Sequence, residues 1–296
     1  MIENVFEQHR PMLLGLAYRL LGSMWDAEDV VQDAFLKWSD TDRSEIREPR
    51  AFLATMVSRL ALDQLRSARR KREAYVGPWL PEPVESTAFG PLDTAELRDT
   101  LSYATLHLME RLSPPERAVF VLREAFDFPY ETIADIVGAT EANCRQMHHR
   151  AAKHLGEGRD RFDPSGEEHA RLLSTFMAAA ENGDVDTLTT MLGADVEAWN
   201  DGGGKVRAAL RPILGPVNVT RLITGLFQKF DFTGLRLVEA NGGSAIRAEA
   251  DGIDLLIFLE SHDGRISRIS AVLNPEKLTR VGILKTSPAE RTSDQF

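Results

Sequence analysis

Leu13, Leu14, Leu16, Ala17, Leu20 and Leu21 recur at the spacing of one helix face. Gly22-Ser23 breaks that run, and Ser23 or Asp26 can cap a second helix carrying Val30, Val31, Ala34, Phe35 and Trp38. A third starts at Pro49, where the first helical position tolerates proline. It runs through Phe52, Leu53, Met56, Val57, Leu60, Ala61 and Leu65 and ends in Arg69-Arg70-Lys71-Arg72. From residue 73 the period is lost. GPWLPEPVESTAFGPLD is rich in proline and acid and reads as a linker. Trp79 and Leu80 are out of place in a free tether, so this segment is expected to dock on another surface. Helical spacing returns near residue 96 with Leu101, Leu106, Leu108, Met109 and Leu112. Ser113-Pro114-Pro115-Glu116 then has capping-box spacing with proline at the first helical position. In PYETIADIVGATEANCRQMHHRAAKHL a short helix ends at Gly138, Ala139 and Thr140 form the turn, and a second helix starts near Glu141. That is helix-turn-helix spacing, which a plain helical hairpin also satisfies.

The pattern changes after a polar hinge at 157–165. Two helices, about 167–181 and 184–192, precede runs of strand character: VEAW, KVRAAL, LRLVEA, SAIRAEA, IDLLIFL and RISRISAVL. The turns between them are DGGG, NGG, DG and HDG, and a helix near 217–230 interrupts the series. This predicts two all-α units followed by an α+β unit with an antiparallel sheet. The expected divisions are 1–72, a linker over 73–105, 106–160, 166–284 and a tail over 285–296.

Charge is sorted by segment. The chain of 296 residues carries a net −10, which argues against a self-sufficient DNA binder. Arg59, Arg66, Arg69, Arg70, Lys71 and Arg72 nevertheless crowd one helix against Asp63 alone. They suit a phosphate surface, or equally a solvated helix end whose cations meet the C-terminal dipole. On the second helix of the helix-turn-helix, Cys144, His148, Ala151 and Leu155 form an inward face. Asn143, Arg145, Gln146, His149, Arg150 and Lys153 are then candidates for a major groove. DAEDVVQDAFLKW, residues 26–38, puts acids and Gln32 opposite an apolar face, as a solvated helix or a protein-docking surface would. Cys144 is the only cysteine, so no disulfide forms within the chain and a cysteine-built zinc site is excluded. His148 and His149 are adjacent and do not face one site; no metal and no cofactor is expected. No apolar run is long enough to span a bilayer, and cytoplasmic residence is the default. DGGGK at 201–205 fails the P-loop pattern, because Trp199 and Val206 stand where a glycine and a Ser or Thr belong. It reads as a glycine turn, with or without a partner for its flanking charges.

Taken in order, the acidic helix, basic helix, linker and helix-turn-helix resemble the extracytoplasmic-function (ECF) sigma factors of bacterial RNA polymerase. The resemblance runs from residue 1 to about 157. It implies that Asp26, Glu28, Asp29, Gln32, Asp33, Phe35 and Trp38 meet the polymerase core. REPRAFLATMVSRLALDQLRSARRKR looks like the helix that reads and melts the −10 element, implicating Arg47, Arg50, Arg59, Asp63, Arg66, Arg69 and Arg70. Many relatives carry Asn where Arg59 stands. LSPPERAVFVLREAFDFPYETIADIVGATEANCRQMHHRAAKHL looks like the module that reads the −35 element. Here the relatives often have a basic residue in place of Met147.

The third unit resembles the SnoaL-like (NTF2-like) extension of the SigJ-like subgroup. Three stretches match: WLPEP (Trp79, Leu80, Pro81, Glu82, Pro83), DGGGK (Asp201, Gly202, Gly203, Gly204, Lys205) and NPEK (Asn274, Pro275, Glu276, Lys277). The resemblance implies an extension that regulates the sigma domains in cis, in place of a separate anti-sigma factor. Asp201 and Lys205 would then be presented to the sigma domains or the linker. Promoter DNA and core polymerase are the implied partners, and the concave sheet suits a small ligand that no residue identifies. Two rivals stand beside this reading. A SnoaL-like enzyme would need an acid or base such as Asp195, Asp254 or His262, none of which sits in a catalytic motif. A ligand-sensing repressor would leave both N-terminal charged helices without a task.

Overall fold

The computed structural model describes residues 2–89, 95–159 and 166–281. The first unit is three helices: α1 (Ile2–Leu21), α2 (Met24–Asp40) and α3 (Pro49–Glu73). Ser23 caps α2, its hydroxyl accepting the Asp26 N–H at 3.3 Å. Leu13, Leu16, Leu20, Val31, Leu53 and Val57 are buried between these helices. Each such aliphatic side chain contributes about 1.5–3 kcal/mol relative to staying exposed.

After the linker come α4 (Ala95–Leu101) and α5 (Tyr103–Met109), then α6 (Pro114–Glu124), α7 (Tyr130–Val137) and α8 (Glu141–Arg159). Glu116 closes the start of α6 by accepting the Ser113 hydroxyl at 2.7 Å and the Ser113 N–H at 3.2 Å. Gly138 ends α7 in the left-handed region at φ 73°, and α8 follows three residues later, giving the helix-turn-helix. Met147 is buried, which accounts for an apolar residue there. The two helical units share one hydrophobic core, with α3 packed on α6 and α7.

The third unit begins with α9 (Gly166–Glu181) and α10 (Val185–Met191). β1 (Leu192–Asp201), β2 (Ile213–Leu214) and α11 (Pro216–Lys229) follow, then β3 (Thr233–Ala240), β4 (Gly243–Ala250), β5 (Ile253–His262) and β6 (Arg265–Val272). The sheet order is β2-β1-β6-β5-β4-β3. The unit is α+β, but two expectations need correction. β1 pairs with β6 in parallel, so the sheet is mixed. KVRAAL is not a strand. The N–H groups of Lys205 and Val206 both bond to the Gly202 carbonyl, which curls the chain out of the sheet until it pairs again at Ile213.

One sheet face is filled by Leu173 and Phe176 of α9, Leu188 of α10 and Val219 and Ile223 of α11. The opposite face carries Leu256, Phe258 and Val272 and receives Leu80 of the linker and Tyr103 of α5. The Tyr103 ring lies flat on Phe258, with centroids 3.6 Å apart. The third unit is therefore joined to the helical units through the back of its sheet.

Candidate functional site

The WLPEP, DGGGK and NPEK segments converge on one carboxylate. Asp201 ends β1 with no solvent exposure. Its side chain accepts the Tyr75 hydroxyl at 2.6 Å, the Leu80 N–H at 2.9 Å and the Lys277 ammonium at 2.7 Å. Its carbonyl accepts the N–H groups of Leu273 and Asn274. Lys277 also donates to the Leu80 carbonyl at 2.5 Å and lies 4.1 Å from the Trp79 ring centroid. Burial pulls the Lys277 ammonium below the usual lysine range, opposed by the Asp201 charge. Burial, reinforced by Asp201, pushes the Tyr75 hydroxyl above its usual range. A buried charge of this kind is tolerable only when paired and hydrogen-bonded, as it is here.

The glycines make room for this clasp. Gly203 has φ +57°, and a Cβ there would lie 2.4 Å from Asn274 Nδ2 and 2.7 Å from the Tyr75 hydroxyl. Gly204, at φ +70°, passes the Val76 side chain. Lys205 is a correction: it does not reach the helical units but pairs with Glu276 at 3.0 Å, both side chains being exposed. Asn274 caps the short turn at Pro275–Lys277 and donates to Tyr75 at 2.9 Å.

Further contacts tie the clasp to the helical units. Trp79 lies between Lys277 and Arg72, whose guanidinium is 3.6 Å from the ring centroid. Arg72 donates to Glu110 and to the Leu21 carbonyl, and Glu110 also holds Arg117. Glu82 is buried and its carboxylate accepts the Met24 N–H at 2.7 Å, at the first residue of α2. Burial raises the Glu82 pKa, opposed by the N–H groups at the start of α2. Arg280 grips Glu28 of α2 with two hydrogen bonds of 2.9 and 2.6 Å. It also stands over the Trp25 ring and 3.6 Å from Glu82. A further clasp forms where Asn241, at φ 54°, donates to the Tyr18 hydroxyl at 2.8 Å and exchanges hydrogen bonds with the backbone of Val84. Tyr18, Tyr75, Asn241 and Arg280 were outside the sequence reading, and Arg72, grouped there with the cations suited to phosphate, is instead turned inward onto Trp79 and Glu110. For Asn241 the signal was the NGG turn itself.

The faces expected to meet polymerase and DNA are distributed as follows. On α2, Asp29, Gln32 and Asp33 are exposed, Asp26 accepts from Gln64, and Glu28 is held by Arg280. Trp38 is a correction: it is 2% exposed and packs near Phe52, so it belongs to the core. Phe35 likewise packs edge-on against Phe6. Arg47, Arg50, Arg59 and Arg66 are exposed on or before α3; Arg66 pairs with Asp63, and Arg59 donates to the Asp135 carbonyl of α7 at 3.3 Å. The side chains of Arg69 and Arg70 lie outside the described residues, as do residues 90–94, 160–165 and the tail from 282. On α8, Asn143, Arg145, Gln146, His149, Arg150 and Lys153 are all exposed. Arg145 pairs with Glu141, and Arg150 pairs with Glu116 across to α6.

Behind α5 lies a second polar cluster. His107 is buried edge-on to Trp199, and burial drives its pKa well below the usual histidine value. Glu260 is buried beside Arg268 at 3.0 Å, and burial raises its pKa to about 7 against the pull of Arg268. A cleft of about 1500 Å³ opens nearby, lined in part by Ser102, Tyr103, His169, Phe258 and Glu260. The three enzyme candidates do not assemble there. Asp254 forms a bidentate pair with Arg247 at 2.9 and 2.6 Å, while His262 sits at the far end of β5, roughly 26 Å away at strand rise. Asp195 is exposed on β1. Among the described residues no three His, Cys, Asp or Glu side chains are grouped to hold a metal, and no helix is long and apolar enough to cross a membrane.

Comparison with known proteins agrees with this arrangement. Residues 5–71 match sigma-70 region 2 and residues 103–155 match sigma-70 region 4. The chain is 37% identical to the ECF RNA polymerase sigma factor SigJ of Mycobacterium tuberculosis, over 93% of this chain and 92% of that protein. It is 36% identical to the probable ECF sigma factor SigI of the same species, over 64% of this chain and 67% of the other. The crystal structure of Mycobacterium tuberculosis SigJ aligns with a TM-score of 0.73 at 33% identity, covering 93% of this chain and 97% of that one. Two sigma modules, joined by a docked linker to an α+β unit along nearly the full length of a SigJ relative, place this chain among the ECF RNA polymerase sigma factors of the SigJ-like kind.

Proposed function

We propose that this sigma factor directs core polymerase to promoters, and that its α+β unit holds it closed until polymerase or a signal opens it. Region 2 docks on core polymerase through Asp29, Gln32, Asp33 and, once released, Glu28. The exposed cations of α3 hold phosphates around the −10 element, and α8 sets the upstream register at −35. The observation that carries the closed state is the grip of Arg280 on Glu28, beside the Glu82 carboxylate at the N-terminus of α2. A polymerase surface that needs Glu28 competes with a bidentate guanidinium pair. A switch of this kind works only through contacts that differ between the two states, and this pair is one.

The extension then does in cis what a separate anti-sigma factor would otherwise do. The unit acts by contact and not by catalysis, the protein works in the cytoplasm, and a small ligand of the α+β unit would have room in the cleft behind α5.

The test compares wild type, Arg280→Glu and a chain ending at residue 165, with purified core polymerase and a selected promoter template. The sigma reading requires a specific run-off transcript from the wild type. The closed-state reading requires tighter core binding by both variants, and equal affinity in all three would overturn it.

A further inference from the structure

His148 lies on α8 between the exposed reading face and the core. Its Nε2 is 2.8 Å from Glu124 at the end of α6 and its Nδ1 is 3.1 Å from the Tyr130 hydroxyl at the start of α7. The ring stacks on Phe120, with centroids 6.1 Å apart and planes inclined by 20°. A neutral imidazole offers one donor and one acceptor. The carboxylate of Glu124 takes the donor, which leaves Nδ1 to accept the Tyr130 O–H.

Tyr130 in turn faces the reading surface. Its ring lies under the Arg145 guanidinium at 5.1 Å and is flanked by Arg123 at 5.4 Å. Arg145 is held on its other side by Glu141 at 2.6 Å, and Arg123 by Asp127 at 2.9 Å. A continuous bracket therefore runs from Glu124 through His148 and Tyr130 to Arg145. It joins α6, α7 and α8.

We propose that Tyr130 and His148 are positioning residues for −35 recognition, setting the direction in which Arg145 reaches a base edge. This rests on the reading of α8 as the −35 helix. Arginine reads a guanine edge through two parallel hydrogen bonds, so the plane of its guanidinium matters as well as its charge. A free arginine side chain gives up rotamer entropy when it is fixed in one geometry. A ring and a carboxylate that already hold it reduce what binding must spend on ordering it. Tyr130 supplies the ring, and His148 with Glu124 fixes the ring in place. Both side chains are only partly exposed and contact Arg145 or its supporting ring, so each is placed to act through Arg145.

The experiment uses reconstituted holoenzyme and a promoter library randomised across the −35 element. Arg145→Ala identifies the base pairs that Arg145 reads. Tyr130→Leu is expected to weaken preference at those same base pairs by about three- to tenfold, leaving the other positions unchanged. Tyr130→Phe, which keeps the ring, and His148→Gln, which keeps much of the bulk, are expected to lose about two- to threefold there. They carry the test if Tyr130→Leu does not fold, as judged by thermal melting. Tyr130→Leu combined with Arg145→Ala should be no worse than Arg145→Ala alone, because the bracket has nothing left to position. A uniform loss at all positions, or additive losses in the double variant, overturns the inference and leaves only a structural role. If Arg145→Ala changes no −35 position, the reading of α8 fails and the inference falls with it. An Arg145 effect with no Tyr130 or His148 effect overturns the inference alone.

Discussion

Lys277→Met removes the cation from the clasp while keeping most of its volume. Asp201 would remain with no solvent exposure, still holding the Tyr75 hydroxyl and the Leu80 N–H but no counter-charge. Breaking a buried ion pair by deleting one partner costs about 3–5 kcal/mol. The two surviving donors put this case at the low end, about 3 kcal/mol, which is roughly 150-fold in the balance between closed and open chains. Asp201→Ala strips three donors of their acceptor at once and should cost more, about 4–5 kcal/mol. A double-mutant cycle separates the pair from its surroundings, with an expected coupling of about 1–3 kcal/mol. The assay is single-molecule energy transfer between dyes on the exposed positions Asp29 and Arg221, across the closed interface, with urea unfolding in parallel. The reasoning is refuted if Lys277→Met leaves the distance distribution and the unfolding midpoint at wild-type values, since a buried carboxylate without its cation could not then be what closes the chain.

Gly203→Ala should loosen the clasp by more than the ~1 kcal/mol that alanine costs in a left-handed position, because its Cβ would collide with Asn274 and Tyr75. Gly138→Ala is the control: it has φ +73° but nothing within 4 Å, so urea midpoints should separate the clash from the strain. Asn241→Ala should cost about 1–3 kcal/mol by leaving buried partners unpaired, and hydrogen exchange at the Val84 amide should accelerate. Glu260 has a pKa of about 7 in the folded chain because of burial, against a lower value when unfolded. The folded state holds that proton more tightly, so this contribution is full at acidic pH and is lost as pH rises through about 7. His107, pushed down by burial, acts oppositely and weakens the fold as pH falls below its unfolded value. Glu260→Gln should therefore flatten the fall in stability between the ordinary value of 4.5 and about 7 and leave the profile above and below that window unchanged, as read by urea midpoints across the range.

Much of this architecture was legible because local signals agreed with tertiary ones. The Gly138 break, the Ser113–Glu116 box and the Ser23 cap each fixed a helix boundary, and all three appear as the pattern predicts. The failures have particular causes. KVRAAL has strand alternation, yet the glycines before it allow a turn whose hydrogen bonds take the chain off the sheet. A parallel β1–β6 pairing leaves no mark in either strand's period. Trp38 follows Val30, Val31, Ala34 and Phe35 at helical spacing, so periodicity placed it on the apolar face, and it was the family resemblance that put it among the polymerase contacts. Lys205 and Lys277 both follow recognisable motifs, but only depth distinguishes the exposed pair with Glu276 from the buried pair with Asp201. Arg280 lies three residues beyond NPEK and had no pattern of its own. Its role follows from being opposite Glu28, which is a fact about two elements 252 residues apart.

The closed chain does not hide its surfaces equally. The outward face of α8 stays exposed, whereas the α2 face loses Glu28 to Arg280 and α3 lends Arg59 to the α7 backbone. On the function proposed above, the contact made by the α+β unit would bear hardest on polymerase docking through α2. Polymerase can open the chain only by as much as it prefers the open form. Were the closed form favoured by about 3–5 kcal/mol, a nanomolar docking would weaken to about 0.2–5 micromolar on the standard affinity scale. On that proposal, a range of this size would make a constitutive partner conditional without abolishing binding. It also assigns the signal its size: whatever relieves the clasp must supply a few kcal/mol of differential contact with the linker, the α+β unit or both.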